Sequence, residues 1–340
     1  MNYETDVVVV GAGPAGLFAV FECGMVKLRC HVVDALDAVG GQCAALYPEK
    51  PIYDVPGHPS ILAADLIERL KEQAAPFSPT YHLGRQMVGL DRDGEAWRCT
   101  LSDGTVIAAK AVIIAAGGGA FGPNRPPLDG IEVYEGKGAG NGVAYFVTRR
   151  EDYRGKRVVI AGGGDSAVDW AISLSEVAAK VMVVHRRPKF RAAPESEARL
   201  KALADSGTVE LVVPYQLHGL EGDGGKLSAV VVSTLDGDTR RLEADALLPF
   251  FGLATELGPI AGWGLGMDRN QIAVDAATMA TNAPGILAAG DVCTYPGKLK
   301  LILSGFAEAA RAAHTAHAIA HPGEALHFEH STTSGVPGAK

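Results

Sequence analysis

Residues 7–16 read Val-Val-Val-Val-Gly-Ala-Gly-Pro-Ala-Gly, and residues 158–167 read Val-Val-Ile-Ala-Gly-Gly-Gly-Asp-Ser-Ala. Each is an apolar strand that runs into a G-x-G-x-x-G/A turn and then into a helical pattern. In both copies 23 residues separate the first glycine from the end of the next strand, at Asp34 and at His185. This strand–turn–helix unit holds a dinucleotide: the glycines let backbone approach the pyrophosphate, and the helix N-terminus offers it unpaired N–H groups. Two copies at equal spacing predict an α/β fold with two Rossmann-like dinucleotide-binding domains.

The copies differ where ribose chemistry is read. In the first, Gly11 serves the tight turn, Gly13 the close approach and Gly16 the helix–strand packing, with Pro14 and Ala15 between them. Asp34, at the end of the next strand, can accept hydrogen bonds from both ribose hydroxyls. In the second, Gly162, Gly164, Asp165, Ser166 and Ala167 form the turn, and the strand ends in His185-Arg186-Arg187, with Arg191 close behind. A carboxylate would repel a 2′-phosphate, whereas these residues attract one, so the second copy is read as an NADPH site.

With 340 residues the chain has room for two cores; 47% are apolar, 21% charged and 42 are glycine, an ordinary α/β composition. A net charge of −8 argues against nucleic-acid or anionic-membrane binding. The five cysteines, at 23, 30, 43, 99 and 293, have no C-x-x-C spacing, so neither a metal knuckle nor a dithiol pair is expected. No apolar run reaches the roughly 18 residues of a membrane span, and the chain opens on a strand rather than a signal-peptide pattern. The expected setting is the cytoplasm.

Along the chain we expect a strand at 5–10, a helix at 13–25 and a strand at 29–34. An irregular stretch through Tyr47-Pro48 follows, then a helix from about 61 to 73. Residues 80–116 read as β-rich, ending in the apolar strand 111–116. The second unit repeats the plan: a helix at about 165–178, a strand at 181–185, a helix at about 194–205, then strands with turns at 222–225 and 236–237 and an apolar strand at 246–251. Glycine-marked crossings near 117–122 and 249–253 predict hinges. Gly285–Asp291 reads as a buried strand ending in an acid, and an Ala-rich helix follows from about 305 to 320. This block reads as a return to the first domain.

Gly290-Asp291 could accept from a ribityl hydroxyl of a flavin, with the helix from Gly305 aimed at the N1–O2 edge of the ring. Taken alone, that acid reads rather as a cap of a helix or turn, and Tyr47 and His330 as ordinary packing residues.

The segments 40–57 (GGQCAALYPEKPIYDVPG), 162–171 (GGGDSAVDWA), 185–192 (HRRPKFRA) and 288–295 (AAGDVCTY), with the first fingerprint, resemble the thioredoxin-reductase-like ferredoxin–NADP⁺ reductases of bacteria. The resemblance spans residues 6 to about 332. It implies the three-layer ββα thioredoxin-reductase-like fold, with a discontinuous FAD domain (1–120 and 254–340), an inserted NADPH domain (121–253) and a homodimer. It implies that residues matching Asp34, Gln42, Tyr47, Met87, Phe121, Asp291 and Thr332 contact FAD, Met87 through its backbone. Tyr47 would stack on one face of the ring and His330 would cover the other.

The nearest rival is thioredoxin reductase, which carries C-x-x-C just upstream of the second fingerprint. Here that segment, 143–154, reads VAYFVTRREDYR and contains no cysteine. Without a dithiol there is no thiol–disulfide relay. The expected activity is therefore hydride transfer from NADPH to flavin N5, then single-electron transfer to ferredoxin or flavodoxin, without an acid–base residue. Disulfide reduction, quinone or iron-chelate reduction, and a non-catalytic redox-sensing flavoprotein are the rival readings. Arg149, Arg150, Arg154, Lys156 and Arg157 are a candidate basic docking area for an acidic carrier.

Overall fold

The computed structural model of the chain describes residues 2–136, 141–324 and 335–336, with backbone only at Phe121 and Thr255. The chain forms two units. One comprises residues 1–120 and 255–340, the other residues 121–254.

The first unit is built on the strand Asn2–Val10. It pairs in parallel with Cys30–Asp34 on one side and with the long strand Val106–Ile114 on the other. The run Val7–Val10 is buried throughout because it is covered on both faces, as a parallel strand must be. Val7, Val9, Ala111 and Ile113 face one core, shared with Ala19, Val20 and Cys23 and with Ala309, Ala312 and Ala316. Val8, Val10, Val112 and Ile114 face the other, shared with Met87, Leu101 and Ile286. Burying each such side chain is worth about 1.5–3 kcal/mol relative to leaving it in water.

The far edge of Val106–Ile114 is split between two partners. Its first half pairs antiparallel with Ala96–Leu101, itself paired with Met87–Asp93. Its second half pairs in parallel with Ile286–Ala288, which returns from the far end of the chain. The helices Pro14–Met25, Ala63–Ala74 and Ile302–Ala320 pack beside this sheet.

The second unit repeats the scheme. Its parallel sheet runs Val209–Val212, Lys180–Val184, Arg157–Ala161, Ala246–Pro249. A three-stranded meander, Gln216–Asp223, Lys226–Ser233 and Thr239–Glu243, covers one face through Leu227, Val230, Val232 and Leu242. The helices Asp165–Leu174 and Pro194–Asp205 pack on each other and on these strands.

Several element ends differ from the sequence reading. The helix expected to 178 stops at Leu174, where the Ser175 hydroxyl donates to the Ile172 carbonyl at 2.7 Å and the chain tightens into turns. The strand expected at 111–116 starts earlier, at Val106, and ends at Ile114. The strand expected at 246–251 ends at Pro249, which has no N–H to extend the ladder. The strand read from Gly285 to Asp291 spans only Ile286–Ala288, and residues 290–292 form a single tight turn. The stretch read as irregular holds a short helix, Gly41–Ala45, and a hairpin of Pro51–Ile52 with Ile61–Leu62. The last helix begins at Ile302, before Gly305. Gly305 is there for packing rather than as a boundary: a Cβ on it would lie 3.3 Å from the Ala15 Cβ and 3.5 Å from the Gly290 Cα.

Candidate functional site

The two glycine turns superpose in their hydrogen bonds. Gly11 N–H donates to the Val33 carbonyl at 2.8 Å, and Ala115 N–H to that of Val10 at 2.7 Å. In the second unit Gly162 N–H donates to the Val184 carbonyl at 3.1 Å, and Phe250 N–H to that of Ala161 at 2.7 Å. The first glycine has positive φ in both, +108° and +152°. A Cβ there would fall 2.3 Å from the Ala115 oxygen or 2.7 Å from the Phe250 oxygen. A Cβ on Gly16 would sit 1.9 Å from the Gly11 oxygen, so that glycine too is required by the protein's own packing.

The third position of each turn behaves differently. A Cβ on Gly13 would meet nothing closer than the Gly41 Cα at 3.9 Å, and a Cβ on Gly164 nothing within 4 Å. Both residues are extended (φ −75° and −96°), a conformation open to any side chain. Nothing in the protein itself demands glycine at these two places. A ligand that approaches the backbone closely would give glycine a reason there. The helix Pro14–Met25 has no side-chain cap and no acid in its first turn, which leaves the N–H groups of Ala15 and Gly16 without an intrahelical partner. The first unit therefore fits a pyrophosphate.

Asp34 is tied to this turn. Its Oδ2 accepts from Ala12 N–H at 2.6 Å and its Oδ1 from Leu36 N–H at 2.8 Å. Burial lifts its pKa above the usual carboxylate value, and the two hydrogen bonds pull against that. Each oxygen keeps a lone pair for a hydroxyl donor. Gly40 N–H donates to the Ala12 carbonyl at 2.9 Å, so the Gly40–Ala45 segment closes over the same turn and carries Gln42 beside it. Tyr47 lies half-buried against the cluster of Leu17, Cys43 and Ile67. Its hydroxyl accepts from the Cys43 thiol at 3.8 Å, and burial raises its pKa further. The charge of Asp291 acts on Tyr47 and Cys43, so the turn Gly290–Val292 belongs to the same neighbourhood. Asp291 itself is exposed and its carboxylate has no hydrogen-bond partner among the described residues. Met87 opens an edge strand with its side chain in the core, leaving only backbone for a ligand. Phe121 lies on the short strand Ala120–Pro123. His330 and Thr332 lie outside the described residues.

In the second unit the segment 185–193 folds back onto the glycine turn. Arg191 N–H donates to the Gly163 carbonyl at 2.6 Å, and the Asp165 carboxylate accepts from Ala193 N–H at 2.8 Å. Asp165 thus spends one oxygen on the loop rather than on a ligand, while Ser166 and Ala167 open the helix behind it. His185 is a packing residue. A Cβ on Gly163 would run into its ring, the ring lies 5.2 Å from that of Phe190, and burial with the nearby arginines lowers its pKa. The ring is thus engaged in packing over the glycine turn. Arg186, Arg187 and Arg191 are exposed and have no carboxylate partner among the described residues.

The contrast with the other basic area is informative. Arg149 pairs with Asp152, Arg150 with Glu176, Arg154 with Glu151, and Arg157 with Glu243 and Asp245. Four of the five cations of that candidate docking area thus have carboxylate partners, whereas Arg186, Arg187 and Arg191 have none among the described residues.

Sequence reasoning missed a buried cluster beneath Gly290. Glu308 and Lys298, 1% and 5% exposed, form an ion pair at 2.5 Å. Tyr295 donates to the same carboxylate at 2.7 Å. Burial, then Glu308, pushes the Tyr295 hydroxyl and the Cys293 thiol up to about 12. The available signal was a lone acid three residues after Gly305, on the helix face that also carries Ala309 and Ala312. All five cysteines are buried and none is in a disulfide. No group of metal-ligating side chains occurs among the described residues.

Residues 5–320 match the profile of the pyridine nucleotide-disulphide oxidoreductases. A protein of Paramagnetospirillum magneticum named ferredoxin–NADP reductase is 78% identical over 99% of each chain. One of the same name from Rhodospirillum rubrum is 65% identical, covering 98% of this chain and 97% of its own. Among solved structures, the thioredoxin reductase of T. acidophilum superposes with a TM-score of 0.78 at 26% identity, covering 93% of this chain and 98% of its own.

Proposed function

Because the chain belongs to the pyridine nucleotide-disulphide oxidoreductase family, we propose that it is a ferredoxin–NADP⁺ reductase that uses FAD and NADPH. One observation carries the reading. Two equivalent turns each hold a glycine that the protein's own packing does not require, one beside a carboxylate and the other beside three exposed arginines. Bound in the first unit, FAD supplies the conversion between a hydride from NADPH and single electrons for an iron–sulfur or flavin carrier.

The chain's own residues do the placing. Gly13 and the first-turn N–H groups of Pro14–Met25 hold the pyrophosphate, and Asp34 the adenosine ribose. Asp291 takes a ribityl hydroxyl, and Tyr47 and His330 lie against the ring. Gln42, the Met87 backbone, Phe121 and Thr332 complete the contacts. In the second unit Gly162, Gly164, Ser166 and Ala167 bind the NADPH pyrophosphate, and Arg186, Arg187 and Arg191 its 2′-phosphate. No residue is needed as acid or base. The domains are an FAD domain of both chain ends and an inserted NADPH domain, working as a cytoplasmic homodimer, with flavodoxin as an alternative acceptor to ferredoxin.

Disulfide reduction of the thioredoxin-reductase kind is disfavoured, since residues 143–154 hold no cysteine and the five present are buried thiols. The test is NADPH-driven reduction of ferredoxin, flavodoxin, thioredoxin, a quinone and an iron chelate in parallel. Fast ferredoxin reduction with inert thioredoxin is expected. Thioredoxin reduction at a comparable rate, or protein that cannot be loaded with FAD, would end the proposal.

A further inference from the structure

One buried ion pair grips both peptide groups of Gly290. The Gly290 N–H donates to Glu308 Oε2 at 2.8 Å, and the Gly290 carbonyl accepts from Lys298 Nζ at 3.0 Å. The ammonium touches both carboxylate oxygens, at 2.5 and 2.6 Å. Tyr295 donates its hydroxyl to the same carboxylate at 2.7 Å, and its ring centroid lies 5.6 Å from the ammonium. Gly290 has φ +81°, and the residue after it is Asp291, the exposed acid in the tight turn that follows the returning strand.

A buried pair is a poor way to add stability. The cost of stripping water from two charges is of the same size as their attraction, and an apolar pair of equal volume often does as well or better. An apolar pair could not, however, bond two adjacent peptide groups of one residue. The pair bridges the last helix and the 295–298 loop to a single backbone position, and that position sets the direction in which Asp291 leaves the turn.

We propose that Lys298 and Glu308 are positioning residues, whose ion pair clamps Gly290 so that the Asp291 carboxylate is presented to the ribityl chain of FAD. This rests on the FAD reading above. The pair acts through Asp291 and does not itself touch the cofactor.

The test is a cycle of variants of the full chain, read by flavin-fluorescence titration of FAD affinity and by melting of the FAD-free protein. Lys298→Met with Glu308→Leu replaces the pair by apolar volume. It is expected to melt within a few degrees of the parent and to bind FAD at least tenfold more weakly. Glu308→Gln keeps an acceptor for Gly290 N–H but leaves the ammonium without its counter-charge; it is expected to melt below the parent and to weaken FAD binding in the same direction, and Lys298→Arg, which keeps the pair, to restore it to within threefold.

Asp291→Ala supplies the readout that a purely structural pair would not move. It should weaken FAD binding strongly in the parent and by less than threefold in the background of either pair variant, because the clamp and the carboxylate act as one unit. Should the apolar variant fail to fold, the same cycle in Glu308→Gln decides. FAD affinity within twofold of the parent in the pair variants, or effects that simply multiply with Asp291→Ala, would overturn the proposal. A parent chain that binds no FAD would instead overturn the reading on which it rests.

Discussion

Substituting Gly13 by alanine separates what the fold needs from what a ligand needs. A Cβ at Gly13 has its nearest neighbour at 3.9 Å, and its φ of −75° suits alanine. Two small terms oppose each other. Glycine is the better N-cap, by ~0.5–1 kcal/mol. Alanine narrows the unfolded ensemble and returns ~0.4–1 kcal/mol. The net effect on FAD-free protein is near zero, within ~1 kcal/mol, which moves the melting temperature by no more than about 4 °C in a chain of this size. Gly16→Ala is the counter-case. Its Cβ would sit 1.9 Å from the Gly11 oxygen, and backbone must move. Such overpacking costs ~1–3 kcal/mol or more, so the FAD-free protein should melt well below the parent or fail to fold.

With FAD the order reverses its meaning. A methyl group at Gly13 occupies the path by which backbone approaches the pyrophosphate. A hundredfold loss of affinity corresponds to ~2.7 kcal/mol, and the thermal stabilisation given by saturating FAD should shrink accordingly. The assay is a pair of melts, with and without FAD, beside a fluorescence titration. Gly13→Ala protein that melts like the parent and binds FAD within threefold of it would refute the argument that this glycine exists for a ligand.

Three further outcomes are expected. Arg186→Ala with Arg187→Ala should raise the KM for NADPH by two orders of magnitude or more, since each hydrogen bond between charged groups is worth ~1.5–3 kcal/mol and at least two are lost, and leave that for NADH little changed; equal effects on both would remove the 2′-phosphate role. His31, His82, His185 and His314 all have pKa values lowered, first of all by burial. A histidine whose folded pKa lies below its unfolded value of ~6.5 binds fewer protons folded than unfolded. Stability is then fully present above that value and declines as pH falls below it, so melts should drop between pH 7.5 and 5.5; a flat profile there would contradict the lowered pKa of these rings. Removing residues from His330 onward should change the flavin absorption spectrum or turnover, and an unaltered enzyme would take the ring-covering role from that tail.

How much of this could be read from the sequence depends on whether a residue's reason is local. Gly11 and Gly16 are legible because the strand–turn–helix unit around them is contiguous and its spacing repeats at Gly162. Residues 7–10 are legible as a strand covered on both faces because four valines in a row admit little else. Glu308 was not legible. Its partners, Lys298, Tyr295 and the Gly290 peptide, come from three separate elements, and only folding brings them together. Gly305 misled for the same reason: read locally, a glycine marks a helix start, yet it lies inside the helix because Ala15 and Gly290 crowd it. His185 shows the same limit. Beside two arginines it reads as a third cation, and only the fold shows that its ring fills the space over Gly163, where burial lowers its pKa.

The two cradles also differ in how much order a ligand must impose, and this bears on which cofactor stays. In the first unit Asp34 is fixed by two backbone donors, at 2.6 and 2.8 Å, before anything binds. A group already in place loses little entropy when a ribose arrives, and the affinity gained is kept. In the second, Arg186, Arg187 and Arg191 stand in solvent without a carboxylate partner among the described residues. Each is a long, rotamer-rich side chain, and holding one still costs ~0.5–1.5 kcal/mol. Their attraction to a 2′-phosphate is partly spent on ordering themselves, which favours selectivity and quick release over residence. On the reading proposed above, the same turn used twice thus holds a resident FAD where its ribose partner is preorganised, and an exchanging NADPH where it is not.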